Sequence, residues 1–286
     1  MKPRFVLSSF SALPGLSSGM SDDRYNVSAV ERALDVLDAF THQRPELSLT
    51  EIASITKLHK ATAFRLLATL CHRGMAMKNP ASGLYRLGFG VIALSEVAKT
   101  STGFVSQARP CMRRVRDELN ETVYIAVRVG DVRISLDQLE GLRDIRRVVA
   151  IGTPTPLYVG STSRVLLAAM PDDEIVAYFA RTEFVPPFPG AKVDAPTLWR
   201  AIAEIRRDGF AETHNKRIDE GASISAAVRG PANEVVGALT VSVPIGRYTA
   251  EVRARAIDVV TEAARALSRQ LGAPESVTGG AIHRFT

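Results

Sequence analysis

The segment LSLTEIASITKLHKATAFRLLATLCHRGMAMKNPASGLYRLG, residues 47–88, predicts two short helices joined by a tight turn and followed by a β-hairpin. Ser48 and Glu51 have the spacing of a capping box, in which a hydroxyl and a carboxylate satisfy unpaired backbone N–H groups at the start of a helix. A second helix is expected over 60–72, because its apolar residues fall on one face, and Gly74 ends it. The short connection allows this second helix to project from the surface.

A hairpin and a preceding helix complete the first domain. After Gly74, turn-forming residues separate two short extended runs; they are Asn79, Pro80, Ser82 and Gly83. Upstream, Ser28 and Glu31 repeat the capping-box spacing. The apolar residues that follow share one helical face: Val30, Ala33, Leu34, Leu37 and Phe40. Three helices and a hairpin in this order predict a winged helix-turn-helix, which we place at residues 26–90.

The positive charge of the chain is concentrated in this segment. The 286 residues carry a net charge of +6, and 46% of them are hydrophobic, which excludes a chain that is disordered throughout. Between Leu49 and Val91, six Lys or Arg residues occur with a single acid, Glu51, so this stretch alone carries +5. A basic helix is more often a solvated surface than a DNA reader. Here the order of the helices and the basic hairpin favour DNA binding.

The projecting helix supplies the candidate DNA readers. A helix fits the DNA major groove, where residues near its N-terminus contact base edges. The outward residues that we expect to contact bases are Lys60, Ala61, Thr62, Phe64 and Arg65. Flanking basic residues are expected to contact the phosphate backbone; they are Arg73, Lys78 and Arg86. An ion pair within the domain is an equally good alternative role for Arg65.

The rest of the chain predicts a linker helix at 91–103 and a second domain at 104–272. In this second domain, strands and helices mix without a regular βαβ repeat, so the expected fold class is α+β. The segment RRVVAIG, residues 146–152, is expected to be a strand. Flexible tails are expected at 1–25 and 273–286.

Several classes of protein and of site are disfavoured. Cys71 and Cys111 occur without a CxxC or a His/Cys cluster, so neither disulfides nor a metal site is predicted, and we expect no cofactor. No run of about 18 apolar residues is present, so we expect no membrane span and a cytoplasmic protein. Ser and Pro interrupt the apolar stretch near the N-terminus, which disfavours a signal peptide; a working start at Met20 is an alternative.

The segment quoted first closely resembles the DNA-binding half of the IclR family of bacterial transcriptional regulators. That half has an LT-E-A pattern, a K-x-T-x-x-RLL-x-TL helix and a G–hairpin–Y-x-LG segment. This sequence matches it at Thr50, Glu51, Ala53, Lys60, Thr62, Arg65, Leu66, Leu67, Thr69, Leu70, Gly74, Tyr85, Leu87 and Gly88. Later segments, among them TPLYVGSTSRVLLA and EVVGALTVSVPIGR, resemble the family's second domain. The resemblance implies Thr50 as a further DNA contact, and a GAF-like domain that binds a small metabolite, often a carboxylic or aromatic acid.

The resemblance also implies where the effector binds. The family's pocket uses backbone N–H groups where a loop enters a helix, and small polar side chains on the facing strands. The residues at these positions are Tyr158, Ser161, Thr162, Ser223, Thr240 and Ser242. A helix N-terminus suits a carboxylate, and Thr240 and Ser242 share one face of a strand. Tyr158 stands where the family often has His, and Ser163 and Arg164 stand where it often has Gly and Lys, so the ligand stays unidentified.

The expected function is a ligand-responsive transcriptional regulator without enzymatic activity. A repressor is preferred to an activator, because a bound oligomer blocks a promoter. Family members are usually dimers or tetramers, and two-fold symmetry implies a roughly palindromic DNA operator. Three alternatives stay open. In the first, the strand hydroxyls bond only to neighbouring backbone, and in the second, the second domain only oligomerises. In the third, Ser161 or Ser163 of the GSTSR segment is a nucleophile that acts with His214 and Asp219, although this segment does not complete the G-x-S-x-G elbow.

Overall fold

A computed structural model describes residues 26–41, 43–101, 103–186, 193–215 and 221–274. The chain forms two compact units, one before Gly103 and one from Gly103 onward. The tail predicted at 1–25, most of the tail predicted at 273–286, and Asp219 lie outside the described residues.

The first unit is a winged helix-turn-helix, as predicted. Its elements are α1 (Ser28–Asp38), α2 (Leu49–Thr56), α3 (Lys60–His72), β1 (Ala76–Lys78), β2 (Tyr85–Leu87) and α4 (Phe89–Ser101). Lys57 makes the sharp turn between α2 and α3 in a left-handed backbone conformation, with φ of 57°. Val36, Leu47, Ile52 and Leu67 form the centre of the core that α1, α2, α3 and the hairpin share.

The two predicted capping boxes have different outcomes. At Ser48 the prediction is confirmed: its hydroxyl accepts the Glu51 N–H at 3.2 Å, and the Glu51 carboxylate accepts the Ser48 N–H at 2.7 Å. At Ser28 the prediction is wrong, because α1 begins one residue earlier and Ser28 already has helical geometry. The N-cap residue is Val27, which offers no side-chain acceptor.

The apolar face predicted for α1 is also partly wrong. Val36 and Phe40 are buried, whereas Val30 and Leu34 are exposed. The helix therefore turns only its C-terminal half toward the core, and its N-terminal half carries apolar side chains into solvent.

The wing is a two-stranded hairpin in which Met77 lies opposite Arg86. The Asn79 side chain accepts the Ala81 N–H at 2.9 Å, which fixes the turn. Leu47 exchanges two backbone hydrogen bonds with Tyr85 and so adds a third, one-residue strand to the wing. Gly88 lies so close to Gly74 that a Cβ at Gly88 would be 2.1 Å from the Gly74 carbonyl oxygen. Only glycine fits this contact between the wing and the end of α3.

The second unit is built on one antiparallel sheet in the order β5-β4-β3-β8-β7-β6. Its strands are β3 (Thr122–Val129), β4 (Val132–Leu139), β5 (Pro154–Pro156), β6 (Phe210–Asn215), β7 (Gly221–Arg229) and β8 (Val235–Pro244). Its helices are α5 (Phe104–Leu119), α6 (Gly160–Ala168), α7 (Asp172–Arg181), α8 (Ala195–Asp208) and α9 (Ala250–Gln270). The mixture of helices and antiparallel strands confirms the α+β class.

The two faces of this sheet differ in chemistry. One face is apolar, with Val123, Ile224 and Val241 packed against α5 and α9. On the other face, which α6 covers, hydroxyl residues occupy alternate positions of β3, β7 and β8. Because side chains alternate along a strand, the sequence places the apolar core residues on one face and the hydroxyl groups on the other.

The strand predicted at 146–152 is wrong. This segment is a loop that side chains hold in place, since the Thr122 hydroxyl donates to the Arg147 carbonyl at 2.6 Å and Gln138 accepts the Val149 N–H at 2.8 Å. The strand that pairs with β4 at the edge of the sheet is instead β5, which has three residues. The edge strand β6 was not predicted, because its sequence FAETHN carries polar and charged residues that resemble a loop.

Candidate DNA-binding and effector sites

The candidate DNA contacts lie on the surface of the first unit. Thr62 is partly buried and the other eight are exposed; they are Thr50, Lys60, Ala61, Phe64, Arg65, Arg73, Lys78 and Arg86. Ala63, Leu67 and Leu70 form the buried side of α3. Because Phe64 is 51% exposed on the opposite side, an aromatic ring faces solvent beside basic side chains.

The basic side chains of this surface have no acidic partners. Within the described part of the first unit, Lys60, Arg65, Arg73, Lys78 and Arg86 form no ion pair. The alternative role of Arg65 as an internal ion-pair partner is therefore not realised among the described residues. Lys78 lies over the Tyr85 ring, 5.5 Å from its centroid, which leaves its charge unneutralised. Unpaired cations on one surface suit a polyanion.

In the second unit, hydroxyl groups meet beneath the N-terminus of α6. The Ser161 hydroxyl hydrogen-bonds those of Ser223 and Ser225 at 2.7 and 2.8 Å. The Thr162 hydroxyl hydrogen-bonds those of Tyr124 and Thr240 at 2.7 and 2.9 Å. We call these six residues, together with Thr213, the hydroxyl cluster.

Thr213 connects the hydroxyl cluster to the backbone of α6. Its hydroxyl accepts the Ser161 N–H at 3.1 Å and hydrogen-bonds the Ser223 hydroxyl at 3.0 Å. The Ser225 and Thr240 hydroxyls, 2.8 Å apart, close the network between β7 and β8. The side chains thus bond mainly to each other across four strands and a helix, rather than only to neighbouring backbone.

The structure brings together most of the predicted effector residues. Ser161, Thr162, Ser223 and Thr240 belong to the hydroxyl cluster. Ser242 is buried on the same sheet face and lies directly opposite Ser223.

Tyr158 lies in a different environment from the hydroxyl cluster. Its hydroxyl accepts the Val185 N–H at 3.2 Å, and its ring meets the Phe184 ring edge-on at 5.3 Å. It therefore belongs to the aromatic core beside α7 and α8.

Sequence reasoning missed Tyr124, Thr213 and Ser225. Ser225 lies two residues after Ser223 and therefore on the same face, so strand alternation was a signal that pointed to it. Tyr124 and Thr213 reach the cluster only through strand pairing, since β3 lies beside β8 and β6 beside β7.

The serine-nucleophile arrangement is not formed. Ser161 hydrogen-bonds two other serines, and His214 lies on the opposite face of β6 from Thr213, with its ring bonded to Glu212. A nucleophile and its base need to be within hydrogen-bond reach.

The described ranges contain neither a metal-binding cluster nor a membrane-spanning helix. No group of three or more His, Cys, Asp or Glu side chains there is arranged to hold a metal ion. No helix of the described residues is long and apolar enough to span a bilayer.

Two family models match the chain. The IclR helix-turn-helix domain matches residues 29–80, and the bacterial transcriptional regulator IclR C-terminal domain matches residues 97–269. The second match alone covers more than half of the chain.

Individual relatives agree with the family models. The HTH-type transcriptional regulator KipR of Bacillus subtilis is 27% identical over 85% of this chain and 96% of its own length. The HTH-type transcriptional repressor AllR of Escherichia coli is 26% identical over 85% of this chain and 90% of its own. A solved IclR homologue from Microbacterium hydrocarbonoxydans, complexed with 4-hydroxybenzoate, is 20% identical, with a TM-score of 0.75 over 85% of this chain and 98% of its own.

These relatives are regulators rather than enzymes, and the matches extend over both units. The chain belongs to the IclR family of bacterial transcriptional regulators and is a DNA-binding regulator of transcription.

Proposed function

We propose that the chain is a repressor whose binding to an operator is modulated by a small carboxylic or aromatic acid. The acid binds in the second unit, and the working form is a homodimer or homotetramer on a roughly palindromic operator. The observation that carries this proposal is the hydroxyl cluster beneath the N-terminus of α6. Such a set of convergent hydroxyls at the N-terminus of a helix suits a ligand that combines a carboxylate with hydroxyl or carbonyl groups.

The first unit reads DNA through α3. Lys60, Ala61, Thr62, Phe64 and Arg65 approach base edges, while Thr50, Arg73, Lys78 and Arg86 contact phosphates. This division follows from position, since the first group lies in the N-terminal half of α3 and the second surrounds it.

Two substitutions separate these DNA-binding roles. After selection of an operator from random DNA, Arg65→Ala should weaken binding by about 1–3 kcal/mol and relax sequence preference at one position. Arg73→Ala should weaken binding to all sequences. It should also lower, by about 1, the magnitude of the slope of the log binding constant against log salt concentration. Arg200→Ala, an exposed change on α8, is the matched control. Fluorescence anisotropy at several salt concentrations measures all three, and equal slopes for Arg73→Ala and the control would refute the phosphate contact.

The effector role rests on burial as well as geometry. Ser161, Thr162, Ser225 and Thr240 are fully buried, and polar groups at such depth are costly unless hydrogen-bonded. A core of apolar residues would fill this space more cheaply, so a site for a polar ligand explains the hydroxyls better than packing does. The relative that holds 4-hydroxybenzoate supports an acid of this kind.

A thermal-shift screen of organic acids, followed by calorimetry and an operator-binding assay, tests the effector role. Ser242→Ala should weaken binding of the acid that shifts the melting temperature and should leave operator affinity without ligand unchanged. Thr261→Ala is a matched control, because its hydroxyl bonds only to the α9 backbone. Unchanged calorimetric affinity in Ser242→Ala would count against the assignment.

The sign of regulation has its own test. The similarity to AllR of Escherichia coli, a transcriptional repressor, supports a repressor here. In transcription from a promoter that overlaps the selected operator, the chain should lower transcript yield, and the effector acid should restore it. A rise in transcript on addition of the chain would make it an activator.

Exposed apolar residues in the first unit support an oligomer. At the start of α1 these are its N-cap Val27 and, within the helix, Val30 and Leu34; on α4 they are Phe89, Ile92, Leu94 and Val97. Contiguous exposed apolar side chains mark surfaces for association. A second copy of the same chain is the partner that a palindromic operator requires.

A further inference from the structure

Beside the hydroxyl cluster, on the same face of the sheet, Arg133 of β4 has only neutral partners. Its guanidinium carbon lies 5.9 Å from the centre of the Tyr124 ring, and its Nη2 donates to the Thr155 hydroxyl at 2.8 Å. Within the described residues it forms no ion pair with a carboxylate. Because Tyr124 belongs to the hydroxyl cluster, the guanidinium contacts the edge of that cluster through the Tyr124 ring.

The strand register places a second arginine opposite the first. Arg133 pairs with Arg128 across β3 and β4. Arg128 is neutralised by Glu174 at 2.9 Å and donates to the Gly130 carbonyl at 2.7 Å. Like charges directly opposite each other on a sheet are unfavourable. Two guanidinium groups with one carboxylate leave a local excess of one positive charge at this position.

Three buried donors, one of them on this arginine and two on serines, lack hydrogen-bond partners among the described residues. Among the described residues, Arg133 Nε and the hydroxyls of Ser135 and Ser163 are buried without a hydrogen bond. Ser135 and Ser163 are both 0% exposed. A buried donor without a hydrogen bond destabilises a folded protein, so such a group in a native protein calls for a partner.

The placement of these groups is consistent with one site. Ser135 is two residues from Arg133 on the same strand, so both side chains point to the face that α6 covers. Ser163 directly follows Thr162 in α6, and α6 packs against β4.

We propose that Arg133, Ser135 and Ser163 form an anion subsite that binds the carboxylate of the effector. Arg133 borders the hydroxyl cluster at the Tyr124 ring, and the hydroxyls of the cluster then bind the other polar groups of the same molecule. A guanidinium binds a carboxylate through charge-assisted hydrogen bonds, and the two serines donate to the remaining oxygen lone pairs. This inference rests on the proposed ligand-responsive function and assigns the ligand class to small organic anions.

The test uses benzoate, 4-hydroxybenzoate, pyruvate and succinate as probes, together with the amide of each. For the wild-type chain, at least one acid should raise the melting temperature and bind in calorimetry, while its amide does not. Arg133→Gln should weaken the binding of that acid at least about tenfold, because one charge-assisted contact is lost. Arg128→Gln is the matched control, because it removes the opposite arginine, whose charge Glu174 already neutralises, and it should keep the affinity within about threefold.

A structural role for Arg133 gives a different pattern. If the arginine served only stability, Arg133→Gln would lower the melting temperature of the unliganded chain. We expect no loss, because the change relieves repulsion with Arg128. Ser135→Ala removes a hydroxyl that has no hydrogen-bond partner among the described residues. It should therefore leave unchanged or raise the melting temperature of the unliganded chain, and it should weaken the binding of the acid severalfold.

Each remaining outcome has a defined meaning. Equal acid affinity in wild type and Arg133→Gln, binding of amides as tight as that of acids, or no binding of any acid to the wild type would each overturn the subsite. If amides bind and release the operator, the proposed regulation stands without the subsite. If an acid binds through Arg133 and leaves operator affinity unchanged, the subsite stands and the proposed regulation falls.

Discussion

At the scale of single residues, the Glu212 carboxylate of β6 forms hydrogen bonds with three other side chains. It accepts from the Tyr248 hydroxyl at 2.7 Å and from Arg253 at 2.8 Å, and it also bonds the His214 ring. Burial alone would raise the pKa of Glu212, but hydrogen bonds from Arg253, Tyr248 and His214 outweigh it and hold the pKa below its usual range. These bonds join β6 to the start of α9 on the side of the sheet away from the hydroxyl cluster.

Glu212→Gln should therefore lower stability in a pH-dependent way. A carboxylate whose pKa is lower in the folded chain stabilises it above the unfolded pKa of about 4.3, and this stabilisation is lost as the pH falls through the folded value. We expect a loss of about 1–3 kcal/mol at pH 7 that shrinks toward pH 3. Urea unfolding followed by the fluorescence of Trp199, the only tryptophan and part of the same unit, measures it.

Glu118→Gln is the control for the loss of stability in Glu212→Gln. Glu118→Gln changes an exposed carboxylate that is 3.8 Å from Arg255, and it should alter stability by less than about 1 kcal/mol at any pH. A pH-independent loss in Glu212→Gln would mean that shape, rather than charge, accounts for the role of Glu212.

At the scale of elements, two serines with the same sequence spacing have different functions. Ser48 caps α2, whereas Ser28 lies inside the first turn of α1. The pattern S-x-x-E predicts a helix start in both places, and a helix starts near both. Which residue becomes the N-cap depends on where the preceding chain enters the helix, and local spacing does not determine that.

Ser48→Ala and Ser28→Ala form a matched pair. Loss of the Ser48 cap should cost about 0.5–2 kcal/mol, which corresponds to roughly two- to thirtyfold faster hydrogen exchange at the start of α2. Ser28→Ala should leave exchange in α1 nearly unchanged. Mass spectrometry of peptides covering each helix start measures both, and equal effects of the two substitutions would show that the Ser48 cap adds no stability.

The order of elements in the first unit could be predicted from sequence, because its helices and hairpin are set by residues close along the chain. The second unit was harder for a physical reason. The loop at 146–152 has the composition of a strand, but Thr122 and Gln138 capture its backbone. Tyr124 and Thr213 enter the hydroxyl cluster through pairings with distant strands, and a single sequence does not specify those pairings.

At the scale of the whole molecule, the exposed apolar side chains of α1 and α4 bear on assembly. Ile92 is 59% exposed on α4. A charge placed in a buried interface is costly without a partner. We expect Ile92→Glu to shift the chain toward monomers and to weaken binding to a two-half-site operator more than to a single half-site.

The shift from oligomers to monomers appears as a lower molar mass, which light scattering after size-exclusion chromatography measures. Val176→Glu, at a residue that is 57% exposed on α7 in the other unit, is the control and should leave the mass unchanged. A wild-type chain that is monomeric at all concentrations, or an Ile92→Glu variant with the wild-type mass, would contradict the assignment of this surface to self-association.

The sheet with one apolar and one hydroxyl face has an evolutionary consequence. Under the proposed effector role, mutations that exchange serine, threonine or tyrosine on the α6 side should alter which molecules the domain binds. They leave untouched the contacts of Val123, Ile224 and Val241 with α5 and α9. Selection on ligand choice and selection on folding then act on separate sets of codons. On the same proposal, a lineage built on this sheet would acquire new inducers by few steps, each of which starts from a protein that still folds.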